Sequence, residues 1–291
     1  MPLEVKRGGS EDLMEDFMSK SKSTIVNDLY KYLESYKPVP EKETKKLAQA
    51  LADTITTKLS TYRQPSLSMS SIGKPLRKIY MDLNHPCKPD GKARLKFLYG
   101  DLLEVLILWL IQQSGHKVTD CQKSVKVDGI SGSIDAIIDG NLKDVKSCSP
   151  SSYKKFSQGT LPENDPFGYC GQLSGYNSVL KTETPGFIAI NKVTGEVCEY
   201  NPDVDFDLPD PHTLIKKAKK ATKELPDQPC QKPEPLGKAG NEVVPKCCHY
   251  CPHLHRCWKG LRAFEYSTGI EYFTKVVKEP SVPEVTVDKK R

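Results

Sequence analysis

Apolar positions recur at helical spacing in the first third of the chain and in short runs in its middle. Mixed Lys, Glu and apolar residues predict helices over 11–36 and 41–60, and a strongly apolar stretch predicts a helix from Lys96 to Gln113. Shorter apolar runs predict the remaining elements: strands over about 117–128 and 133–147 and in GFIAINK and EVCEYN, and helices over Tyr169 to Leu180 and His212 to Glu224. Because the strands lie between helices, we expect an α/β or α+β core with helices on its faces.

The segment SGSIDAIIDGNLKDVKS, residues 131–147, predicts a β-hairpin that turns at Asp139-Gly140, a dipeptide suited to a two-residue turn. That register places Asp135 opposite Asp144, and like charges facing each other across a strand pair repel unless a cation lies between them. Lys146 projects from the same face as Asp144, because side chains alternate along a strand. The pattern is typical of a metal-dependent site that cleaves phosphodiesters, and the alternative is an exposed hairpin with ordinary surface charges.

Glu104 lies in DLLEVLILWLI, where its neighbours are almost all apolar. A carboxylate in such a helix is costly to bury without a partner, although Glu104 could instead lie on the helix surface near its first turn. Together with Asp135 and Asp144 it would supply three oxygen ligands, which suit Mg²⁺ or Mn²⁺. A cation of this kind activates water and neutralises phosphoryl oxygens, and a nearby lysine can orient the water, help to deprotonate it or stabilise the developing charge.

Two further features are compatible with a nucleic-acid substrate. Gln172 and Tyr176 are spaced to lie on one helix face, where both can donate hydrogen bonds to phosphate oxygens. Lysines cluster at Lys154-Lys155 and in IKKAKKATK, and the net charge is +6. Basic runs of this kind can follow a phosphate backbone, although many are simply solvated helix faces.

Four of the ten cysteines fall in CCHYCPHLHRCW and the other six are scattered; within this segment Cys248, Cys251 and Cys257 have the spacing C-x2-C-x5-C. No apolar signal segment opens the sequence, and the apolar run from Leu102 to Ile111 is too short to span a membrane, so we expect a soluble cytoplasmic protein. Cysteines at this density in a reducing compartment indicate a metal site. The metal could be an iron–sulfur cluster, which usually needs four thiolates, or zinc, completed by His249, His253 or His255.

The order Gly100-x-x-x-Glu104, Asp135, Asp144-Val145-Lys146 and Gln172-x-x-x-Tyr176 resembles the PD-(D/E)XK nucleases of the RecB-like branch, which includes CRISPR-associated RecB-type exonucleases. Phage-encoded exonucleases have similar runs around FLYGDLLE, GSIDAIIDG, DVKS and DPFGYCGQLSGY, and the likeness spans about residues 65–260. The resemblance implies a restriction-endonuclease-like fold, with a central mixed sheet flanked by helices.

The resemblance also implies a role for each motif residue. Glu104, Asp135 and Asp144 would bind the catalytic metal, with the Val145 carbonyl as a further ligand, and Lys146 would be the catalytic lysine. Gln172 and Tyr176 would contact DNA or support the metal site. Members with an iron–sulfur cluster begin their domain with Cys-Pro-Arg-Lys, where this chain has Pro75-Leu76-Arg77-Lys78. The missing thiolate would come from Cys87, or alternatively from Cys247 or Cys230.

We therefore expect a DNA exonuclease of phage recombination, repair or DNA degradation, with an internally cutting endonuclease and an inactive DNA-binding protein as alternatives. No phosphate-binding loop of the type G-x-x-x-x-G-K-[ST] is present, so any unwinding would need a helicase partner. A recombinase or a single-strand-binding protein is another expected partner, and the oligomeric state stays open. The expected organisation is a helical region (1–64), a nuclease core (65–224), a linker (225–246), a cysteine-rich metal-binding segment packed on the core (247–275) and a disordered tail (276–291).

Overall fold

The structure is a computed structural model that describes residues 24–227 and 229–286. The α-helices are α1 Ile25–Glu34, α2 Glu41–Ser60, α3 Leu76–Asn84, α4 Gly91–Gln113, α5 Pro150–Ser157, α6 Tyr169–Leu180, α7 Pro211–Ala221, α8 Lys246–His249 and α9 Leu254–Cys257. The strands are β1 Val118–Thr119, β2 Ser124–Val127, β3 Ile130–Ser133, β4 Ala136–Ile138, β5 Asn141–Cys148, β6 Gly186–Asn191, β7 Val197–Tyr200, β8 Glu234–Leu236, β9 Asn241–Val243, β10 Arg262–Tyr266 and β11 Gly269–Lys275. A single 3-10 turn, Met69–Ser71, precedes α3.

The predicted helices at 41–60 and 169–180 are confirmed with those bounds. The apolar helix α4 begins at Gly91, five residues before Lys96, because Asp90 caps it by accepting a hydrogen bond from the Ala93 amide at 2.8 Å. The part of the first predicted helix over residues 11–23 lies outside the described residues. Within the described part of the chain, no helix combines the length and the apolar character needed to cross a membrane.

A five-stranded mixed sheet forms the centre of the molecule, in the order β1-β4-β5-β6-β7. Strand β5 is antiparallel to β4 and parallel to β6, and β7 returns antiparallel to β6. The predicted α/β fold, a central mixed sheet flanked by helices, is thereby confirmed. The central position of β5 fixes its backbone on both edges, so the side chains that it carries are held firmly in place.

Helices cover both faces of this sheet. On one face, α1 and α4 bury Leu29 and Ile111 against Val145, Ile188 and their neighbours. On the other face a larger core gathers side chains from α3, α5, α6 and α7 and from the β2–β3 pair, with Met69, Phe156, Leu173, Phe187 and Ile215 among its members. The sheet is therefore the middle of three layers, as its mostly buried strands require.

The hairpin β4–β5 has the predicted register. Asp139 and Gly140 both have positive φ angles, 49° and 86°, as a two-residue hairpin turn of this type requires. Ile138 pairs with Asn141, and Ala136 pairs with Lys143. The next residue on each side of the hairpin is Asp135 and Asp144, so this register places them opposite each other. A second hairpin, β2–β3, turns in the same way at Asp128-Gly129 and was not predicted from the sequence.

The C-terminal region forms a four-stranded antiparallel sheet in the order β10-β11-β9-β8. The prediction that 225–246 is a linker is wrong for part of that segment, because β8 and β9 lie within it and β9 pairs with β11. The prediction of a disordered tail is wrong for 276–286, since the Val285 amide donates a hydrogen bond to the Ala263 carbonyl at 2.8 Å. Residues 287–291 lie outside the described residues. The division of the chain into domains stays a prediction.

Candidate active site

Strand β5 carries the two residues at the centre of the candidate site. Asp144 and Lys146 project from one face of β5, where they form an ion pair, and only 3% of the Asp144 side chain is exposed. Lys143 points to the opposite face and pairs with Glu199 at 2.9 Å. Asp144 Oδ1 is buried and accepts no hydrogen bond from any residue that the structure describes. A buried acceptor without a donor is costly, so this oxygen has an unused capacity to bind a cation or a donor.

Asp135 reaches the same place from the loop that joins β3 to β4. Its Oδ2 accepts a hydrogen bond from the Val145 amide at 2.7 Å, which holds the carboxylate beside β5. Burial raises the pKa of Asp135 well above its ordinary value, and the neighbouring carboxylates of Asp144 and Glu104 raise it further. The repulsion between Asp135 and Asp144 that the hairpin register predicts is therefore present in the structure.

Glu104 lies on α4, one turn before the buried residues Ile107 and Leu108. Helix α4 approaches β5 closely here, because a Cβ atom at Gly100 would lie 3.2 Å from the Ser147 hydroxyl. Burial raises the pKa of the Glu104 carboxyl, while a hydrogen bond from the Gln122 amide, at 2.6 Å to Oε1, opposes that rise. Asp144 adds to the rise, so the three carboxylates interact electrostatically as one group.

Lys146 is the cation of this group. Burial lowers the pKa of its ammonium, but the carboxylates of Asp144 and Asp135 outweigh that effect and hold the pKa above the ordinary lysine value. Its Nζ also lies 4.9 Å from the centre of the Tyr169 ring, which favours the charged form through a cation–π contact. In the absence of other ligands, Lys146 is therefore a protonated hydrogen-bond donor at neutral pH.

Helix α6 supplies Gln172 and Tyr176, but only one of them faces the groove. Gln172 lines the same groove as Glu104 and Lys146. Tyr176 is buried, with 2% of its surface exposed, and its hydroxyl donates a hydrogen bond to the Ser133 carbonyl at 2.7 Å. Tyr176 therefore does not face a substrate, and of its two predicted roles only the support of the site agrees with this geometry.

Two adjoining grooves meet at Glu104. The larger, of about 860 Å³, is lined by Glu104, Val145, Lys146, Tyr169 and Gln172 together with residues from the end of α2 and the start of α4. The smaller, of about 620 Å³, adds Asp135 and Gln122. A polymer lying in these grooves would pass over the carboxylates and the lysine, while Asp144 lies just beneath the surface.

Gln122 and Tyr169 are site residues that the sequence did not reveal. Gln122 holds Glu104 through its side chain, and its backbone amide donates to the Asp135 carbonyl at 3.3 Å. Both Asp120 and Gln122 have positive φ angles, 54° and 56°, which are unusual for residues other than glycine. No motif marks such a loop, and only the φ angles and contacts of the folded chain identify it.

The described residues, 24–227 and 229–286, contain no group of three or more His, Cys, Asp and Glu side chains arranged to hold a metal ion. The chemistry of the carboxylate group nevertheless fits a divalent cation. The negative charges of Glu104, Asp135 and Asp144 repel one another, and Asp144 Oδ1 accepts no hydrogen bond from the described residues. Oxygen donors with excess negative charge are what Mg²⁺ and Mn²⁺ prefer.

Five of the candidate thiols line a separate cavity of about 240 Å³, where the C-terminal region meets α3. They are Cys230, Cys247, Cys248, Cys251 and Cys257. Burial raises the pKa of the Cys230 thiol to about 11, and Cys257 and Cys251 contribute to that rise. Cys247 instead interacts with Cys248 and with Glu234.

The structure does not bring Cys87 to this cavity. Its sulfur lies 4.0 Å from His253 Nδ1, at the rim of the larger groove, and His253 in turn lies 2.9 Å from Asp82 Oδ1. Among the histidines considered as zinc ligands, His253 is buried by this pairing, and His249 and His255 pack against Tyr272. None of the three histidines lines the cysteine cavity.

Comparison with known proteins gives limited matches. No protein-family model and no curated protein match the chain. Among solved structures, the protein SSO0001 is 15% identical with a TM-score of 0.39, covering 72% of this chain and 92% of that protein. An alkaline exonuclease, LHK-Exo, from Laribacter hongkongensis is 14% identical with a TM-score of 0.32, covering 53% of this chain and 88% of its own. The same exonuclease in complex with dAMP gives 13% identity, a TM-score of 0.27, and coverage of 54% and 87%. Because all three TM-scores are low, the function proposed below rests on the residues of the site.

Proposed function

We propose that this chain is a metal-dependent deoxyribonuclease that hydrolyses phosphodiester bonds, and that it acts as an exonuclease. The observation that carries the proposal is the ion pair of Asp144 and Lys146 on β5, flanked by the carboxylates of Asp135 and Glu104 at the bottom of an open groove. Hydrolysis of a phosphodiester requires an activated water and positive charge near the phosphoryl oxygens, and this group can provide both.

Glu104, Asp135 and Asp144 would hold Mg²⁺ or Mn²⁺, with the Val145 carbonyl as a further ligand. Such an ion supplies a bound water of lowered pKa and neutralises charge on the phosphate. Asp135 is oriented for this role by the Val145 amide, and Glu104 by the Gln122 side chain. Metal ligands whose orientation is held by hydrogen bonds of this kind need less reorganisation when a metal binds.

Lys146 would donate hydrogen bonds to the attacked phosphate or to the water that attacks it. Its ammonium lies beside the Asp144 carboxylate, from where it can stabilise developing negative charge on the phosphate. Gln172 lines the groove beside it and can donate to a phosphate oxygen, while Tyr176 fixes the Ser133 carbonyl two residues before Asp135.

The biological setting that the sequence resemblance implies is recombination, repair or degradation of phage DNA in the cytoplasm of a host cell. In that setting a helicase, a recombinase or a single-strand-binding protein would supply strand separation or follow the digestion. The cysteine cavity would hold a structural metal centre, zinc or an iron–sulfur cluster, that joins the C-terminal region to α3. Its ligands are proposed to be Cys230, Cys248, Cys251 and Cys257, with Cys230 in the place first expected for Cys87.

The test is digestion of end-labelled DNA by the full chain, with Mg²⁺, Mn²⁺ or EDTA. We expect metal-dependent release of nucleotides from an end, and a loss of roughly 10²- to 10³-fold in rate for Asp144→Asn and for Lys146→Ala. DNA binding by Asp144→Asn should be unchanged or tighter, because a negative charge near the phosphate path is removed. Asp205→Asn, at an exposed aspartate that lines neither groove, is the matched control and should cleave normally.

Each other outcome changes the proposal in a defined way. Cleavage at the wild-type rate by Asp144→Asn contradicts the assignment of the site. Internal fragments from labelled DNA identify an endonuclease instead of an exonuclease. Retained DNA binding without cleavage by the wild-type chain, with either metal, identifies a DNA-binding protein without nuclease activity.

A further inference from the structure

Three aromatic side chains stand exposed along the larger groove. Phe97 on α4 is 61% exposed, Tyr62 just beyond α2 is 45% exposed and Phe167 before α6 is 42% exposed, and all three line the groove. They come from three separate parts of the chain, so their convergence is not the edge of one amphipathic helix. Exposed aromatic rings that gather around one concave surface are typical of a binding site.

The Phe167 ring is connected to Lys146 through one intervening ring, that of Tyr169. Phe167 stacks on Tyr169, with the ring centres 5.6 Å apart and the planes inclined by 28°. Tyr169 in turn lies beneath Lys146 Nζ, at 4.9 Å. The aromatic surface is therefore continuous with the place where a phosphodiester would be cleaved.

Basic residues accompany the rings. Lys58, Arg63, Lys74, Arg94, Lys96 and Lys146 line the groove, against two acidic residues, Asp101 and Glu104. Lys58 is paired with Asp101 at 2.8 Å, which leaves an excess of positive charge. Lys88 also lies 5.4 Å from the centre of the Tyr62 ring. A protein that binds a single-stranded nucleic acid must neutralise its phosphate backbone and offer surfaces on which its bases can stack. The groove provides cations for the first and aromatic rings for the second.

We propose that Tyr62, Phe97 and Phe167 form a stacking platform for the unpaired bases of single-stranded DNA, which is delivered along this groove to Lys146. The inference rests on the proposed function and names the substrate form of the same site. Bases in a duplex stack on each other and present only their edges, so a duplex could use the cations of the groove but not its rings.

The test measures binding separately from cleavage. Fluorescence anisotropy of a labelled oligo(dT) strand would be measured with the full chain carrying Asp144→Asn, and compared with an oligo(dA)·oligo(dT) duplex of equal length and with an abasic strand. We expect the single strand to bind at least roughly tenfold more tightly than the duplex or the abasic strand. Phe97→Ala and Tyr62→Ala should each weaken single-strand binding by roughly tenfold and leave duplex binding unchanged.

Phe206→Ala is the matched control, because Phe206 is 88% exposed but does not line the groove, and this change should have no effect on binding. Equal or tighter binding of the duplex overturns the inference, and so does an effect of Phe97→Ala no larger than that of Phe206→Ala. If the wild-type chain cleaves DNA and these binding results fail, only the platform is wrong. If ring-dependent binding is found without any cleavage, the platform stands and the nuclease assignment is wrong.

Discussion

Two groups of candidate metal ligands in this molecule are assembled in different ways. At the central sheet, Asp135 and Asp144 come from either side of one hairpin, and Glu104 joins them from a helix that packs on the same strand. At the cysteine cavity, Cys247, Cys248, Cys251 and Cys257 come from one short segment, and Cys230 joins them from an earlier stretch of the chain. The first group depends on local backbone geometry and the second on how two regions meet.

The difference explains which ligands the sequence could identify. A two-residue turn and the alternation of side chains along a strand determine which hairpin residues lie opposite each other, and the Asp139-Gly140 turn obeys that rule. No comparable rule relates Cys87 or Cys230 to the C-terminal cysteines. Cys87 is closer to the start of the domain in sequence, but α3 and the segment after it direct it to His253 and the groove rim.

The largest expected effect tests the cysteine side of this comparison. Cys230→Ser should lose the bound metal of the purified chain, because it removes one of four thiolates, whereas Cys87→Ser should keep it. Elemental analysis for zinc, iron and acid-labile sulfide, with the visible spectrum, measures the loss and also identifies the metal. If Cys230→Ser keeps the metal and Cys87→Ser loses it, Cys87 is the fourth ligand, as the sequence resemblance implied. If the purified wild-type chain contains no metal, the proposal of a metal centre at this cavity is wrong.

The fold was largely predictable where apolar periodicity is strong. Helices over 41–60 and 169–180 and the β4–β5 hairpin follow directly from patterns that short-range physics explains. The strands β8 and β9 were missed because each has three residues in a Pro- and Gly-rich segment, and β9 is stabilised by pairing with β11, about 30 positions later.

The sequence predicted which charged residues lie near one another at the candidate site better than it predicted the contacts that hold them. Asp144, Lys146 and Asp135 follow from the hairpin register, whereas the apolar surroundings of Glu104 left open whether it lies on the helix surface or joins them. Gln122 has no such signal, because its role depends on a loop with positive φ angles that brings it to α4. Tyr176 was placed correctly on the face of Gln172, but the β2–β3 hairpin, which the sequence did not predict, covers it: a Cβ atom at Gly132 would lie 2.5 Å from its hydroxyl oxygen.

A smaller effect is expected at Gln122, and it tests whether this residue positions Glu104 as a metal ligand. Gln122→Ala removes the hydrogen bond to Glu104, so the Mg²⁺ concentration for half-maximal cleavage should rise by roughly tenfold. Lys126→Ala, which changes an exposed residue on the following strand β2, is the control and should leave the Mg²⁺ requirement unchanged. The measurement is the rate of cleavage against metal concentration. A lower maximal rate with an unchanged Mg²⁺ requirement would contradict a role in positioning a metal ligand.

The smallest expected effect concerns stability and needs no catalysis. Burial and the adjacent carboxylates raise the pKa of Asp135 in the folded chain above its unfolded value of about 3.8, so the folded state binds more protons than the unfolded state above that pH. The free energy of unfolding should therefore fall as pH rises through this window, since its slope follows the protons bound in the unfolded minus the folded state. Asp135→Asn removes the charge, and in the metal-free chain it should raise Tm by on the order of 2 °C at pH 8 and by less at pH 5.

Thermal unfolding at the two pH values, with and without Mg²⁺, measures this effect, and Asp205→Asn is again the control. Mg²⁺ should raise the Tm of the wild-type chain more than that of Asp135→Asn, because bound cation stabilises only a state whose carboxylates are charged and assembled. A lower Tm for Asp135→Asn at both pH values would mean that its carboxylate contributes more through the Val145 amide than it costs through repulsion. The crowded carboxylates would then be an ordinary structural network, and the contrast with the cysteine cavity would lose its physical basis.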